Sequence, residues 1–205
     1  MSQIQTKIKF TKDKLIINDN VSVESWERSI QIKLVETIVK PTDVVIELGY
    51  GLGMASDAIQ KISPREYWIV EKHYEILAQI LKKELKHINF IISSWQKVLP
   101  IIQESSFDSI IYDADPNKIT SFDGSAIATM EFILPVFPYI RKILKTDGRL
   151  GFIDFSGILH TYPDFLKKIE EYDLDFEKIA ISVCPSPDCT YAQKGIGNII
   201  KIIKK

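Results

Sequence analysis

The sequence predicts a doubly wound α/β fold: a mostly parallel, seven-stranded sheet with helices on both faces and an antiparallel C-terminal hairpin. Three observations predict it. Short runs of β-branched and aromatic residues alternate with stretches whose apolar residues recur at helical spacing. The first buried run, DVVIEL (43–48), passes directly into glycines and then into a helical pattern. The last two β-rich runs, 178–184 and 198–203, have no helical stretch between them. A hairpin therefore ends the chain, because parallel neighbours need a long crossover.

Taken in order, residues 4–17 alternate weakly (Ile4, Ile8, Phe10, then Leu15, Ile16, Ile17) about Lys12-Asp13, which reads as a short hairpin. Trp26, Ile30, Leu34 and Ile38 recur every four positions, giving an amphipathic helix within 22–40. Ser22 is placed to cap it and Pro41 to end it. The strand at 43–48 is followed by a helix at 52–62, a strand at 67–71, a helix at 74–85 and a strand at 88–92. A short helix at 96–103 precedes the strand at 107–112. A helical region covers about 126–144, and Pro135 and Pro138 must split or kink it, since each removes a donor and crowds the preceding turn. A fifth strand at 150–153 and a helix at 162–171 lead to the terminal hairpin.

No repeat or Pro/Gly/Ser linker interrupts the 205 residues, so 1–205 reads as one domain, with the hairpin and helix of 1–40 covering its active site. The 26 basic and 27 acidic side chains give a net charge of -1, which argues against a nucleic-acid partner. No apolar run approaches the roughly 20 residues that would span a membrane. There is no secretory apolar segment at the start, and the two cysteines, Cys184 and Cys189, fit a reduced, cytoplasmic setting. His73, His87 and His160 are scattered, and the cysteines lack a ligating partner, so no metal site is expected. The oligomeric state stays open between a monomer and a homodimer.

In open α/β sheets the ligand sits beyond the carboxyl ends of the strands. That directs attention to the residues after Leu48, Val70, Ile92, Tyr112 and Ile153. Glu47-Leu-Gly49-Tyr-Gly51-Leu-Gly53-Met54 has the glycines that a sharp turn and close ligand approach need. A dinucleotide fingerprint is Gly-x-Gly-x-x-Gly, placing helix amides on a pyrophosphate. This loop is Gly-x-Gly-x-Gly, and Glu47 would repel a phosphate. A cofactor with an ammonium group and no phosphate suits it better. Glu71 ends the next strand, where a carboxylate accepts ribose hydroxyls.

These residues resemble motif I and the following acidic motif of class I S-adenosylmethionine methyltransferases, which have a Rossmann-like fold. More narrowly, the chain is similar to guanidinoacetate N-methyltransferases from about Leu15 to the end. The matching stretches are VESWE (23–27), IELGYGLGMA (46–55), YWIVE (67–71), SWQKVLP (94–100) and FDSIIYDADP (107–116), with the Pro-rich loop CPSPDCTY at 184–191. The resemblance implies S-adenosyl-L-methionine as cofactor. It implies that Glu47, Gly49, Gly51, Gly53 and Met54 hold its methionine end, Glu71 its ribose, and Trp95 with Gln96 its adenine. Asp113 would border both cofactor and substrate, and Glu27 and Asp113 would hold the acceptor's guanidinium. Asp115 stands where the family has Tyr and Asp154 where it has Asn, while Phe155-Ser156-Gly157 replaces a Leu-Thr-Ser run. Asp115, Asp154 and Ser156 thus join the substrate-binding set. The extra carboxylates suit guanidino compounds with more positive charge, such as arginine or agmatine.

The expected chemistry follows from the guanidinium group. It stays protonated to above about pH 12, and its lone pairs are delocalised. Two carboxylates would fix its geometry through paired hydrogen bonds, and one would accept the proton as the N–C bond forms. Asp113 is assigned that role and Glu27 the orienting one. Trp26, on the apolar helical stripe, reads as core, whereas Asp188 and Tyr191 reach substrate if the terminal hairpin folds over the site. The competing readings are an RNA or DNA methyltransferase, another small-molecule methyltransferase of this fold, and a non-catalytic binding protein that retains it.

Overall fold

The computed structural model describes residues 6–83, 85–114 and 125–205; Asp115 lies outside them. The chain begins with a three-stranded antiparallel sheet, β1 (Ile8–Phe10), β2 (Lys14–Ile17) and β3 (Asn20–Glu24). Sequence reading anticipated only the first hairpin. Asn18 and Asp19 both adopt positive φ, 51° and 63°, the geometry that matches a tight turn to the twist of flanking strands. That turn uses Ser22 within β3, so Ser22 cannot cap the helix. Instead a single 3-10 turn (Ser25–Glu27) leads into α1 (Arg28–Ile38), with the Glu24 N–H donating to Glu27 Oε1 at 3.0 Å.

The main sheet has seven strands: β4 (Val44–Leu48), β5 (Glu66–Glu71), β6 (Ile88–Ile92), β7 (Phe107–Tyr112), β8 (Leu144–Asp154), β9 (Leu174–Val183) and β10 (Gly195–Lys204). Their spatial order is β6-β5-β4-β7-β8-β10-β9. The five from β4 to β8 are mutually parallel, and β10 runs antiparallel between β8 and β9. All five residues of β4 are buried, as a central strand covered on both faces requires.

Helices α1, α2 (Met54–Ile62) and α3 (Tyr74–Ile80) cover one face, where Leu34, Ile38, Ile59 and Ile76 meet the sheet residues Val45, Ile69 and Ile111. The other face carries α4 (Trp95–Val98), α5 (Ala126–Ile133), α6 (Phe137–Ile143) and α7 (Pro163–Glu171), packing Trp95, Ile133, Phe137 and Phe165 on Ile46, Ile110 and Phe152. The prolines act as expected: Pro135 lies in a 3-10 turn (Leu134–Val136) that separates α5 from α6, and Pro138 sits in the first turn of α6, where a missing donor is harmless. Among the described residues no helix is long and apolar enough to cross a membrane.

Candidate active site

The strand order reverses between β4 and β7, and a crevice forms beyond the carboxyl ends of strands at such a point. A cleft lies there, bounded by residues following β4, β5, β6 and β7 and roofed by Leu15, Ser22 and Val23 of the N-terminal sheet.

Gly49 shows why the loop needs glycine. Its φ is +88°, its N–H donates to the Val70 carbonyl at 2.9 Å, and a Cβ there would lie 2.5 Å from the Asp113 carbonyl oxygen. The ends of β4 and β7 therefore approach closely only because no side chain intervenes. Gly53 has φ +72° and starts α2 from the left-handed region. Gly49 and Gly51 line the cleft, whereas Met54 is buried in the core beneath α2.

Glu71, only 8% exposed, lines the cleft after β5. Its two carboxylate oxygens accept the Tyr50 N–H at 3.1 Å and the His73 N–H at 2.9 Å, which fixes its orientation. Trp95 and Gln96 open α4 and form another wall. Trp95 Nε1 and Gln96 Oε1 are buried with no hydrogen-bond partner among the described residues. One unmet donor and one unmet acceptor on the same wall fit the edge of an adenine, which offers ring acceptors and an amino donor.

Glu47 has a different position from the one its sequence context suggests. It is buried beneath the loop, and its Oε2 accepts hydrogen bonds from Ser56 Oγ at 2.5 Å and from Tyr67 OH. Burial pushes its carboxyl up to about 8, although both hydroxyls oppose the shift. A group held mostly protonated near neutrality is a weak source of charge, so Glu47 braces β4, α2 and β5 beneath the loop.

Glu27 and Asp113 come together from distant parts of the chain. Glu27 is 3% exposed at the start of α1, and its Oε1 also accepts the Tyr191 hydroxyl. Burial, and next the charge of Asp113, push its carboxyl up to about 8. Asp113 follows β7, lines the cleft, and accepts Gln31 Nε2 on Oδ2 at 2.8 Å. Burial raises it to about 7, partly opposed by Gln31. Among the described residues neither carboxylate has a Lys or Arg partner. The pair is a buried acidic pocket, with Asp113 on the same cleft as the glycine loop.

Asp154 and Ser156 do otherwise. Asp154 is fully buried; its Oδ1 accepts the Ser156 N–H at 3.0 Å and the Ser156 hydroxyl, and its Oδ2 accepts the Leu159 N–H at 3.1 Å. Both side chains are consumed in holding the turn after β8, as expected of an Asp that caps a turn.

One further participant, Gln31, was not singled out from sequence. Gln31 is one turn beyond Glu27 on α1, a spacing of four that alone could have flagged it. Tyr191 comes from the loop between β9 and β10, which lies over the site: Lys14 Nζ bridges Glu24 at 2.8 Å and Asp188 at 2.6 Å, and Ser186 Oγ donates to Glu24. Trp26 packs on Phe155 and Tyr191 with ring centroids 5.8 and 6.1 Å apart, so it supports Tyr191.

The sequence model for guanidinoacetate N-methyltransferase matches residues 2–182. The chain belongs to the guanidinoacetate N-methyltransferase family. Similar proteins include protein arginine N-methyltransferase 2 of Aspergillus fumigatus, 27% identical over 179 residues, and that of Yarrowia lipolytica, 29% identical over 190. These matches cover 83% and 85% of this chain but 40% and 38% of the relatives, so the chain spans about two fifths of their length. Among solved structures, M. jannaschii TYW2 in complex with AdoMet superposes with a TM-score of 0.58 at 14% identity, covering 99% of this chain and 87% of that one. Precorrin-6y C5,15-methyltransferase from Geobacter metallireducens gives 0.58 at 13% identity, covering 88% and 89%. At such identities what is shared is the fold.

Proposed function

We propose that this domain methylates a nitrogen of a guanidino group, on a small molecule such as arginine, agmatine or guanidinoacetate. The observation that carries the reading is the pair Glu27 and Asp113, two buried carboxylates without a cationic partner among the described residues, beside the cofactor cleft. Keeping two such groups together destabilises the protein unless a cation joins them. A guanidinium is planar, cationic and rich in donors, so it answers both carboxylates at once. The family membership and the name of the fungal relatives, protein arginine N-methyltransferase 2, support the same chemistry.

When bound, S-adenosylmethionine supplies a methyl group on a positively charged sulfur. Glu71 would accept hydrogen bonds from the ribose hydroxyls, Gln96 Oε1 and Trp95 Nε1 would meet the adenine edge, and the Gly49 and Gly51 backbone would allow close approach. Glu27, held by the Glu24 N–H and Tyr191, orients the guanidinium. Asp113 accepts a second N–H and removes that proton as the nitrogen becomes nucleophilic. A carboxyl group near pH 7 is poised for that transfer. The β1–β3 sheet and the loop carrying Tyr191 exclude water from the pair.

The test incubates the protein and cofactor with arginine, agmatine, guanidinoacetate and an arginine-containing peptide, and reads products by mass. A gain of one methyl on a guanidino nitrogen of at least one compound is expected. No methyl on any of them would sink the guanidino reading while leaving the cofactor assignment standing.

A further inference from the structure

Gln31 is a buried polar residue on whose amide only one end has a task in the reading so far. It lies on the core face of α1, 1% exposed, among Ile30, Leu34 and Val35. A helix needing only to pack there would carry an apolar residue, because an amide buried in such a stripe is costly unless both of its ends are used. One end is used: Nε2 donates to Asp113 Oδ2 at 2.8 Å. The other is not, since Gln31 Oε1 is buried with no hydrogen-bond partner among the described residues. An ionised Asp113 only accepts, so in that state the amide cannot turn over without facing oxygen to oxygen. The unmet oxygen is therefore fixed beside Asp113, with Glu27 one helical turn away on the same helix.

Three acceptors then stand together: Glu27, Asp113 and Gln31 Oε1. We propose that Gln31 is a substrate-binding and positioning residue of the acceptor site, its amide oxygen taking one guanidinium N–H while its amide nitrogen holds Asp113. This rests on the guanidino reading above. Gln31 takes Asp113 Oδ2 and leaves Oδ1 for the substrate, so one planar amide sets the plane in which a planar cation is received. The neutral oxygen adds a directed contact without a third charge. Its donor also favours the ionised form of Asp113, the form that accepts the proton.

Two variants separate the two ends of the amide. Gln31→Met keeps the shape and removes both contacts. Gln31→Glu keeps oxygen acceptors but deletes the donor to Asp113. The probe is methylguanidinium, measured by calorimetry from pH 6 to 9 on protein saturated with S-adenosylhomocysteine. Gln31→Met should bind it roughly 10- to 100-fold more weakly than wild type at pH 9, where the carboxylates are ionised. Gln31→Glu should match or exceed wild type at pH 9, yet lose affinity on acidification at a midpoint about one pH unit higher or more. A packing role alone would leave the affinity of Gln31→Met at pH 9 unchanged, whereas Gln31→Glu adds a carboxylate that moves the midpoint in either case. If Gln31→Met binds methylguanidinium at pH 9 as wild type does, the proposal is overturned.

Failure of wild type to bind methylguanidinium at any pH would instead overturn the guanidino reading, and with it the substrate contact. The positioning half is then decided without ligand, by carbon NMR titration of the Asp113 carboxyl group. Its midpoint should rise in Gln31→Met, and an unmoved midpoint rejects the role.

Discussion

Glu27→Gln should make the protein more stable and less active, and the pH at which the gain appears follows from the structure. In the unfolded chain a Glu titrates near its ordinary value, about 4.3. In the native protein burial and Asp113 raise the group to about 8. Between these values the native state holds a proton that the unfolded state has released, so stability falls as pH rises through the window. The burden is absent below about pH 4, on the order of 3 kcal/mol at pH 7, and complete above pH 8. A Gln carries none of it, and its carbonyl can still accept from the Glu24 N–H and Tyr191 as Glu27 Oε1 does. Its amide nitrogen also replaces repulsion with attraction toward Asp113. Thermal unfolding of ligand-free wild type and variant from pH 4.5 to 9 should therefore converge at the acid end. At pH 7 the variant should melt roughly 6–12 °C higher, and by more at pH 8, given about 2–4 °C per kcal/mol for a chain of this size. A variant that melts at or below wild type at pH 8, or a difference independent of pH, would refute the buried-charge account of this site.

Asp113→Asn should lower kcat/KM by about 10²- to 10⁴-fold, as expected when a proton acceptor is lost, with cofactor affinity nearly unchanged in calorimetry. Glu71→Gln should weaken S-adenosylmethionine about 10- to 100-fold, since a neutral amide replaces the anionic acceptor of the ribose diol. Gly49→Ala should destabilise the fold by about 3 kcal/mol or more in denaturant titration, because its Cβ would fall 2.5 Å from the Asp113 carbonyl and its φ is +88°. A Gly49→Ala protein of wild-type stability would show that the ends of β4 and β7 need not meet at this distance.

Much of this fold was legible because its signals are local. DVVIEL followed by alternating glycines can hardly be other than a buried strand entering a tight turn, and β4 is that strand. Pro135 and Pro138 act through their own missing donors, so the division of α5 from α6 needed no tertiary knowledge. What was not legible depends on partners remote in sequence. Nothing near Glu47 announces that Tyr67 and Ser56 will occupy its carboxylate. Asp154 resembles a ligand group until Ser156 and Leu159 are seen to saturate it. The roof over the cleft depends on a third N-terminal strand, whose only sequence mark was the Asn18-Asp19 turn.

Three buried acids stand near the glycine loop, and burial raises all of them. What separates their roles is the kind of donor each receives. Glu47 is served by two hydroxyls, which can donate to it when ionised and accept from it when protonated, so its environment is content in either state. Asp113 receives a fixed amide donor and borders the open cleft. Glu27 adds a backbone amide and the Tyr191 hydroxyl but confronts Asp113. Losing both protons from that pair places two negative charges together, a state that no Lys or Arg among the described residues neutralises and that an arriving cation would. The arrangement is therefore stable when protonated or occupied and strained in between, so on the guanidino reading binding would be coupled to proton release. That coupling gives the site a means of rejecting neutral acceptors that shape alone does not provide.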